Sequence, residues 1–442
     1  MMGHRLSRVL TVLVLAAVML GLGAAFTRGG PGQSAPPADR GGGPTVDASV
    51  ASADLGSAIV ALQERLRRVP KDHPGWASLG TAYVQQAAIT GEPGYYPKAA
   101  GALRRSLDIQ PRRNAAALTG LAALAAARHD FSLAVKHARA AQRINPYSAA
   151  NQGVLSDALE QRGRYAGARV ELQKMLDLRP GVPSFTRASY AREQVGDLAS
   201  AAAALDEALE LASRPSDQAY CLFYLGELAW NSGDLVAADR YYARGLRLDP
   251  SYTQLLAGRA KVAAAQGRTE AALEIYQDVV RRLPVPTYLI AYADLLRAIG
   301  RVEEATVQEA VVSATETLFN KQGVITGLEL ALFHADRANS AEALVAAREA
   351  WREQRSVEAA DAYAWALEVA GESEEALEYA RRAARLGTKS ALFAFHRGMI
   401  EESLGHPDRA RRFLQRSLDI NPHFSPLLVP RARASLQALA ER

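Results

Sequence analysis

A small residue returns about every 34 positions along this chain. Ala99, Ala134, Ala168, Ala201, Ala238, Ala272, Ala305, Ala343, Ala376 and Ala410 are separated by steps of 35, 34, 33, 37, 34, 33, 38, 33 and 34 residues. A glycine usually stands five residues earlier, at Gly94, Gly163, Gly196, Gly233, Gly267, Gly300, Gly371 and Gly405. Pro70, Pro111, Pro146, Pro180, Pro215, Pro250 and Pro284 close most units in the first half. Residues 221–250 show what one unit contains. Leu222, Leu225 and Ala229 give a first helix an apolar stripe, Asn231-Ser232-Gly233-Asp234 breaks it, and Ala238, Tyr242 and Leu246 form a second stripe that Pro250 ends. Neither helix can bury its stripe alone, so each unit needs a neighbour. A fixed period of helix-turn-helix units is the signature of an all-α solenoid.

The units resemble the tetratricopeptide repeat family. Trp76, Leu79, Gly80 and Tyr83, followed by Ala99 and Pro111, fit its W-x2-L-G-x2-Y…A…P pattern, with about seven extra residues in the turn at 91–97. Leu225-Gly226, Gly398 and Pro422 match elsewhere, whereas Ala122 and Ser156 replace the first-helix glycine and Arg259-Ala260 replaces the Leu-Gly pair. The resemblance covers residues 53–442. It implies a right-handed α-solenoid of about ten units, in which the repeated alanine marks the closest helix approach and the first helices line a concave groove that holds a partner's peptide or helix.

Three regions organise the chain: 1–26, 27–53 and 54–442. His4, Arg5 and Arg8 precede an uncharged apolar run of 18 residues at 9–26, the lower limit for spanning a bilayer and equally the plan of a signal peptide. Gly23-Ala24-Ala25 offers a cleavage site. The run is expected to act as an anchor with its N-terminus in the cytoplasm or as a cleaved signal. Either places the body outside the cytoplasm, membrane-anchored or secreted. The Gly/Pro-rich stretch that follows reads as a flexible tether. Asp54 is a plausible cap for a helix carrying Leu55, Ile59, Leu62 and Leu66, which would shield the first repeat, and residues 426–442 would form the C-terminal cap. Units seven and eight are the least regular: Ala338 replaces the glycine, and the helix after Ala305 is expected to run on to Asn320 and Gly323.

The net charge of +5 and pI near 9.2 lack the dense basic character of a nucleic-acid binder, so no nucleic-acid partner is expected. The single cysteine, Cys221, excludes an internal disulfide and reads as a small buried side chain. Eight histidines include no i, i+4 pair, and no CxxC, GxSxG, P-loop or strand-bound GxGxxG is present. A noncatalytic protein without cofactor or metal is the expectation.

The groove positions of the first helices carry Asp157, Glu160, Glu193, Glu227, Asp294, Asp336, Glu358, Asp361, Glu368 and Glu402 against only Lys261 and Arg297. Among them fall Tyr190, Tyr220, Phe223, Trp230, Trp365 and Phe395. An acidic, aromatic wall suits a protein or peptide partner of basic character. The chain lacks the Lys/Asn cluster with which the family clamps a C-terminal carboxylate. Two functions follow: an interaction scaffold, or an accessory subunit of a membrane enzyme or transporter that binds a small ligand or metal.

Overall fold

The computed structural model describes residues 52–441, and among them every regular element is helical. The first, α1 (Ser52–Arg68), is followed by ten helix pairs. They are α2 (His73–Thr90) with α3 (Tyr95–Ile109), α4 (Ala115–Ala127) with α5 (Phe131–Ile144), and α6 (Ala149–Gln161) with α7 (Tyr165–Leu178). Next come α8 (Val182–Glu193) with α9 (Leu198–Leu211), α10 (Pro215–Asn231) with α11 (Leu235–Leu248), and α12 (Thr253–Ala265) with α13 (Thr269–Arg282). The last four are α14 (Pro286–Ala298) with α15 (Val302–Lys321), α16 (Gly327–Asp336) with α17 (Ser340–Glu353), α18 (Val357–Val369) with α19 (Ser373–Ala383), and α20 (Ala391–Ser403) with α21 (Pro407–Ile420). A final helix, α22 (Leu428–Ala440), closes the row. The fold is an all-α solenoid.

The repeated alanine explains the pairing. Nine of the ten are wholly inaccessible and Ala168 is 4% exposed. On the facing first helix the small position is equally tight: a Cβ on Gly226 would lie 2.3 Å from the Tyr242 ring. In the second unit Ala122 occupies that place, and in the third Ser156 does, donating its hydroxyl to the Ala168 carbonyl at 2.9 Å. Cys221 is buried, and burial pushes its thiol up to about 12.

The turns need a left-handed residue. Gly163, Gly196, Gly233, Gly267, Gly300, Gly371 and Gly405 supply it, as do His129 and Ala338 where glycine is missing. In the first unit the left-handed residue is Gly91 and not Gly94, whose φ is −61°, because the extra turn residues move the helix end upstream. At the N-terminus the first helix starts at Ser52, which puts Asp54 inside its first turn rather than at its cap. The expected long helix after Ala305 is α15, of 20 residues, with Gly323 in the left-handed region just beyond it. The proposed anchor or signal at 1–26 and most of the tether lie outside the described residues. Among those described, no helix is long and apolar enough to cross a membrane.

Periodicity alone does not reveal how tightly the row coils. Turns of units two to five dock on linkers that lie five units later. The Ile325 amide donates to the Arg128 carbonyl at 3.1 Å and the Arg355 amide to the Gln161 carbonyl at 2.7 Å. Thr388 Oγ1 donates to the Gln194 carbonyl at 2.6 Å, and Asn421 Nδ2 to the Trp230 carbonyl at 2.8 Å. All four carbonyls belong to the ends of successive first helices, α4, α6, α8 and α10, where helical geometry leaves C=O groups unpaired. The second turn of the coil thus caps the helices of the first. Side chains reinforce the seam: Arg162 donates to the Arg352 and Glu353 carbonyls at 2.8 and 2.9 Å, and the Val357 amide donates to Tyr165 Oη at 2.8 Å. One contiguous apolar cluster includes Leu55, Leu103 and Leu159 together with Phe319, Trp365 and Leu439, while the middle units keep smaller clusters of their own.

Candidate functional site

The positions expected to line a groove lie on the first helices of the pairs, and most of their acidic residues bond to the unit that follows. Asp157, on α6, is bound through both carboxylate oxygens by Arg187 on α8, each at 2.8 Å, with both side chains buried. Burial nevertheless leaves the Asp157 carboxyl above its usual range. Glu193, on α8, accepts from Asn231 Nδ2 on α10 at 2.9 Å, and burial raises it. Glu227, on α10, receives Lys261 Nζ of α12 at 2.8 Å and the Tyr242 hydroxyl at 2.6 Å. Asp294, on α14, accepts from Arg337 at 2.8 Å, yet burial outweighs that cation and pushes it up to about 6. Asp361, on α18, pairs with His396 Nδ1 of α20 at 2.8 Å, and Glu368 of α18 accepts from Ser403. One Glu368 oxygen and one Glu402 oxygen are buried without a hydrogen-bond partner.

The aromatic residues divide into two groups. Tyr220 packs edge-on against Tyr224 at 4.8 Å, and Phe223 touches Tyr224 and Tyr252. Trp230 is 9% exposed, with the Lys261 ammonium 5.1 Å from the ring centre. Trp365 and Phe395, expected on an open wall, are instead fully buried. Trp365 stacks on His396 at 4.5 Å, donates to Asp336 at 2.8 Å and lies beneath Arg431. Almost every residue of α18 is buried around it. Those two rings therefore hold the end of the coil together.

The surplus of inner acids is also smaller than the residue types suggest. Arg187, Arg337 and His396 were not counted with the groove and reach its carboxylates from the next unit. Arg337, 7% exposed at its side chain, also binds Glu309 at 2.7 Å, which Arg297 grips from the other side. Sequence reasoning missed these partners, but the period contains the signal. Asp157–Arg187, Glu227–Lys261, Asp361–His396 and Glu368–Ser403 are separated by 30, 34, 35 and 35 residues, about one repeat each.

One place breaks this ladder. Glu160, on α6, has no hydrogen-bond partner among the described residues. Gln194 stands one repeat later, at the C-cap of α8, but its amide turns across the seam to Glu358 of α18. Tyr190 Oη also donates to Glu358, at 3.0 Å. Burial, with Asp157 and Glu358 nearby, holds the Glu160 carboxyl well above its usual range, and burial with Glu358 and Glu160 nearby raises Tyr190. Among the described residues no group of three His, Cys, Asp or Glu side chains could hold a metal ion.

Residues 186–253, 257–315 and 364–423 match the family profile described as Tetratricopeptide repeat. No curated protein matches the chain. Similar solved structures include the APC/C hetero-tetramer Cut9–Hcn1, at 15% identity over 89% of this chain and 83% of that one, with a TM-score of 0.40. PilW, a widely conserved type IV pilus biogenesis factor, shares 20% identity over 50% of this chain and 97% of its own, with a TM-score of 0.38. A thermophilic TPR protein from Thermus thermophilus shares 24% identity over 42% of this chain and 95% of its own, with a TM-score of 0.36. In those three matched segments the chain carries tetratricopeptide repeats, within an α-solenoid of ten helix pairs.

Proposed function

We propose that this protein is a noncatalytic scaffold that docks a segment of a partner protein on the inner face of its coil, on the extracytoplasmic side of a membrane. Tetratricopeptide repeats in general mediate protein–protein interaction. The observation that carries the reading is the distribution of charge on the inner helices. Asp157, Glu227, Asp294 and Asp361 each meet a basic side chain of the following unit, whereas Glu160, Glu193 and Glu358 form no ion pair among the described residues. Such a wall favours a segment bearing positive charge and draws it in at a salt-dependent rate. The basic, then apolar residues at 4–26 support export to, or anchoring at, a membrane.

A photo-crosslinking amino acid placed singly at Tyr190 or Phe223, and in parallel at the outward Val236 or Val345, tests the reading in intact cells. The scaffold requires one partner captured from both inner positions and from neither outer one. Capture confined to the outer positions contradicts it. N-terminal sequencing of the mature protein, with a topology reporter fused after residue 442, tests the location.

A further inference from the structure

The seam gives the coil two unlike ends. It joins the turns of units two to five to the linkers of units seven to ten. The linkers of the first units and the turns of the last ones therefore face outward, at opposite ends. At the second end the turns are uncovered: a Cβ on Gly300, Gly371 or Gly405 would meet nothing within 4 Å.

The ends differ in charge. At the first, Arg67, Arg68 and Lys71 follow one another where α1 gives way to α2, Arg112 and Arg113 stand between α3 and α4, and Arg143 lies in the last turn of α5. All six are exposed, and the acid beside them in sequence, Asp72, is taken by Arg65 at 2.7 Å. Residues 64–143 hold 13 Lys and Arg against five Asp and Glu, although the whole chain is only +5. At the other end Glu303, Glu342, Glu374 and Glu375 open α15, α17 and α19. Attraction to helix dipoles does not account for these acids, because α5, α7, α9 and α11, whose N-termini lie in the seam, have none in their first turns. Apolar groups stand among the cations of the first end: Val69 is 51% exposed and Tyr147 79%, both in its linkers. Nucleic-acid phosphates would leave those two side chains unused.

We propose that the basic end lies against a bilayer surface bearing anionic headgroups, with the acidic end pointing away. Arg and Lys meet the phosphates, while Tyr147 and Val69 enter the headgroup layer. The inference rests on the reading of residues 9–26 as a membrane segment. The 25 residues at 27–51 suffice to run back along α1, whose 17 residues span about 25 Å, and so bring that end to the surface.

Full-length protein reconstituted into vesicles of two-to-one phosphatidylcholine and phosphatidylglycerol is the test, with pure phosphatidylcholine vesicles as control. Cys221 is buried, so a polarity-sensitive dye on Tyr147→Cys reports one site. Its emission should shift to the blue on the anionic vesicles and not on the control. The same dye on Val302→Cys, 42% exposed at the acidic end, should not shift on either. Substituting Arg67→Gln, Arg68→Gln and Lys71→Gln together should weaken the surface contact about a hundredfold, at about fivefold for each cation, and abolish the shift. Arg381→Gln, Arg412→Gln and Arg416→Gln together remove equal charge from exposed sites on the second turn and should leave the shift intact. No shift, an equal shift on phosphatidylcholine, a shift at Val302→Cys, or a shift that survives the first triple substitution would overturn the proposal. A shift in detergent without lipid that grows with protein concentration would overturn it in favour of a second copy. Should the shift be absent while the topology reporter places the body outside the cytoplasm, the location stands and only this face falls.

Discussion

The amide nitrogen of Arg355 lies 2.7 Å from the carbonyl oxygen of Gln161, although five repeats separate the two residues. The bond joins a linker of the second turn of the coil to the end of α6 in the first. Beside it, a Cβ added to Gly163 would meet the Arg355 carbonyl at 2.3 Å. Gly267 has the same left-handed backbone and nothing within 4 Å. The pair separates strain from docking. Gly267→Ala should cost about 1–2 kcal/mol, the penalty for a left-handed residue with a Cβ. Gly163→Ala should cost about 1–3 kcal/mol more, because the seam must also part. Urea denaturation of both variants gives the comparison, and equal losses would deny the seam its role.

Ala238 is wholly buried between α10 and α11. Ala238→Leu should overpack that contact and cost about 1–3 kcal/mol. A thermal melt indistinguishable from the parent would show that the helix pair is assembled in another register.

Arg337 links Asp294 and Glu309 across the irregular seventh and eighth units. Removing it strands the Asp294 carboxylate in a largely buried place, while Glu309 keeps Arg297. Arg337→Leu should therefore cost about 3–5 kcal/mol, and restoring neutrality with Asp294→Asn should recover part of that loss. Full additivity of the two substitutions in chemical denaturation would argue against the network.

Glu329, on α16, gives the pH dependence a definite sign. Burial pushes its carboxyl up to about 7. The folded state then holds a proton that the unfolded chain releases at lower pH. Its contribution to stability is complete below the unfolded value and is lost as pH rises through about 7. Asp294, pushed up to about 6, acts in the same direction. Stability should fall between pH 5 and 8, and Glu329→Gln should flatten that fall, by an amount on the order of 2 kcal/mol. An unchanged pH profile of the variant would place Glu329 in a wet environment.

The fold was legible because a solenoid writes its geometry locally. Ala238 and its nine counterparts, the turn residues and the unit ends all follow from contacts within one repeat or with the next. The acids were legible by position but not by partner. Asp157 and Asp361 were read as free charges, whereas Arg187 and His396 meet them about one period later. The seam was not legible from the pattern of apolar residues, because small rotations per unit accumulate over five repeats before the turns meet. A faint signal existed in the prolines. They close units up to Pro284, while the two linkers that dock through a backbone amide carry Ile325 and Arg355 at the contact. Proline has no N–H to donate, so a linker that must cap another helix through its amide cannot use it there.

Closure of the coil underlies the scaffold, since Glu358 reaches Gln194 only when the two turns touch. Amide hydrogen exchange reads it directly at Ile325 and Arg355, with Arg112, whose linker follows Pro111 outside the seam, as reference. A closed coil predicts that the first two exchange about a hundredfold more slowly than Arg112, as amides bonded across a stable contact do. Exchange of all three at the rate of open linkers would show that the turns do not dock in solution.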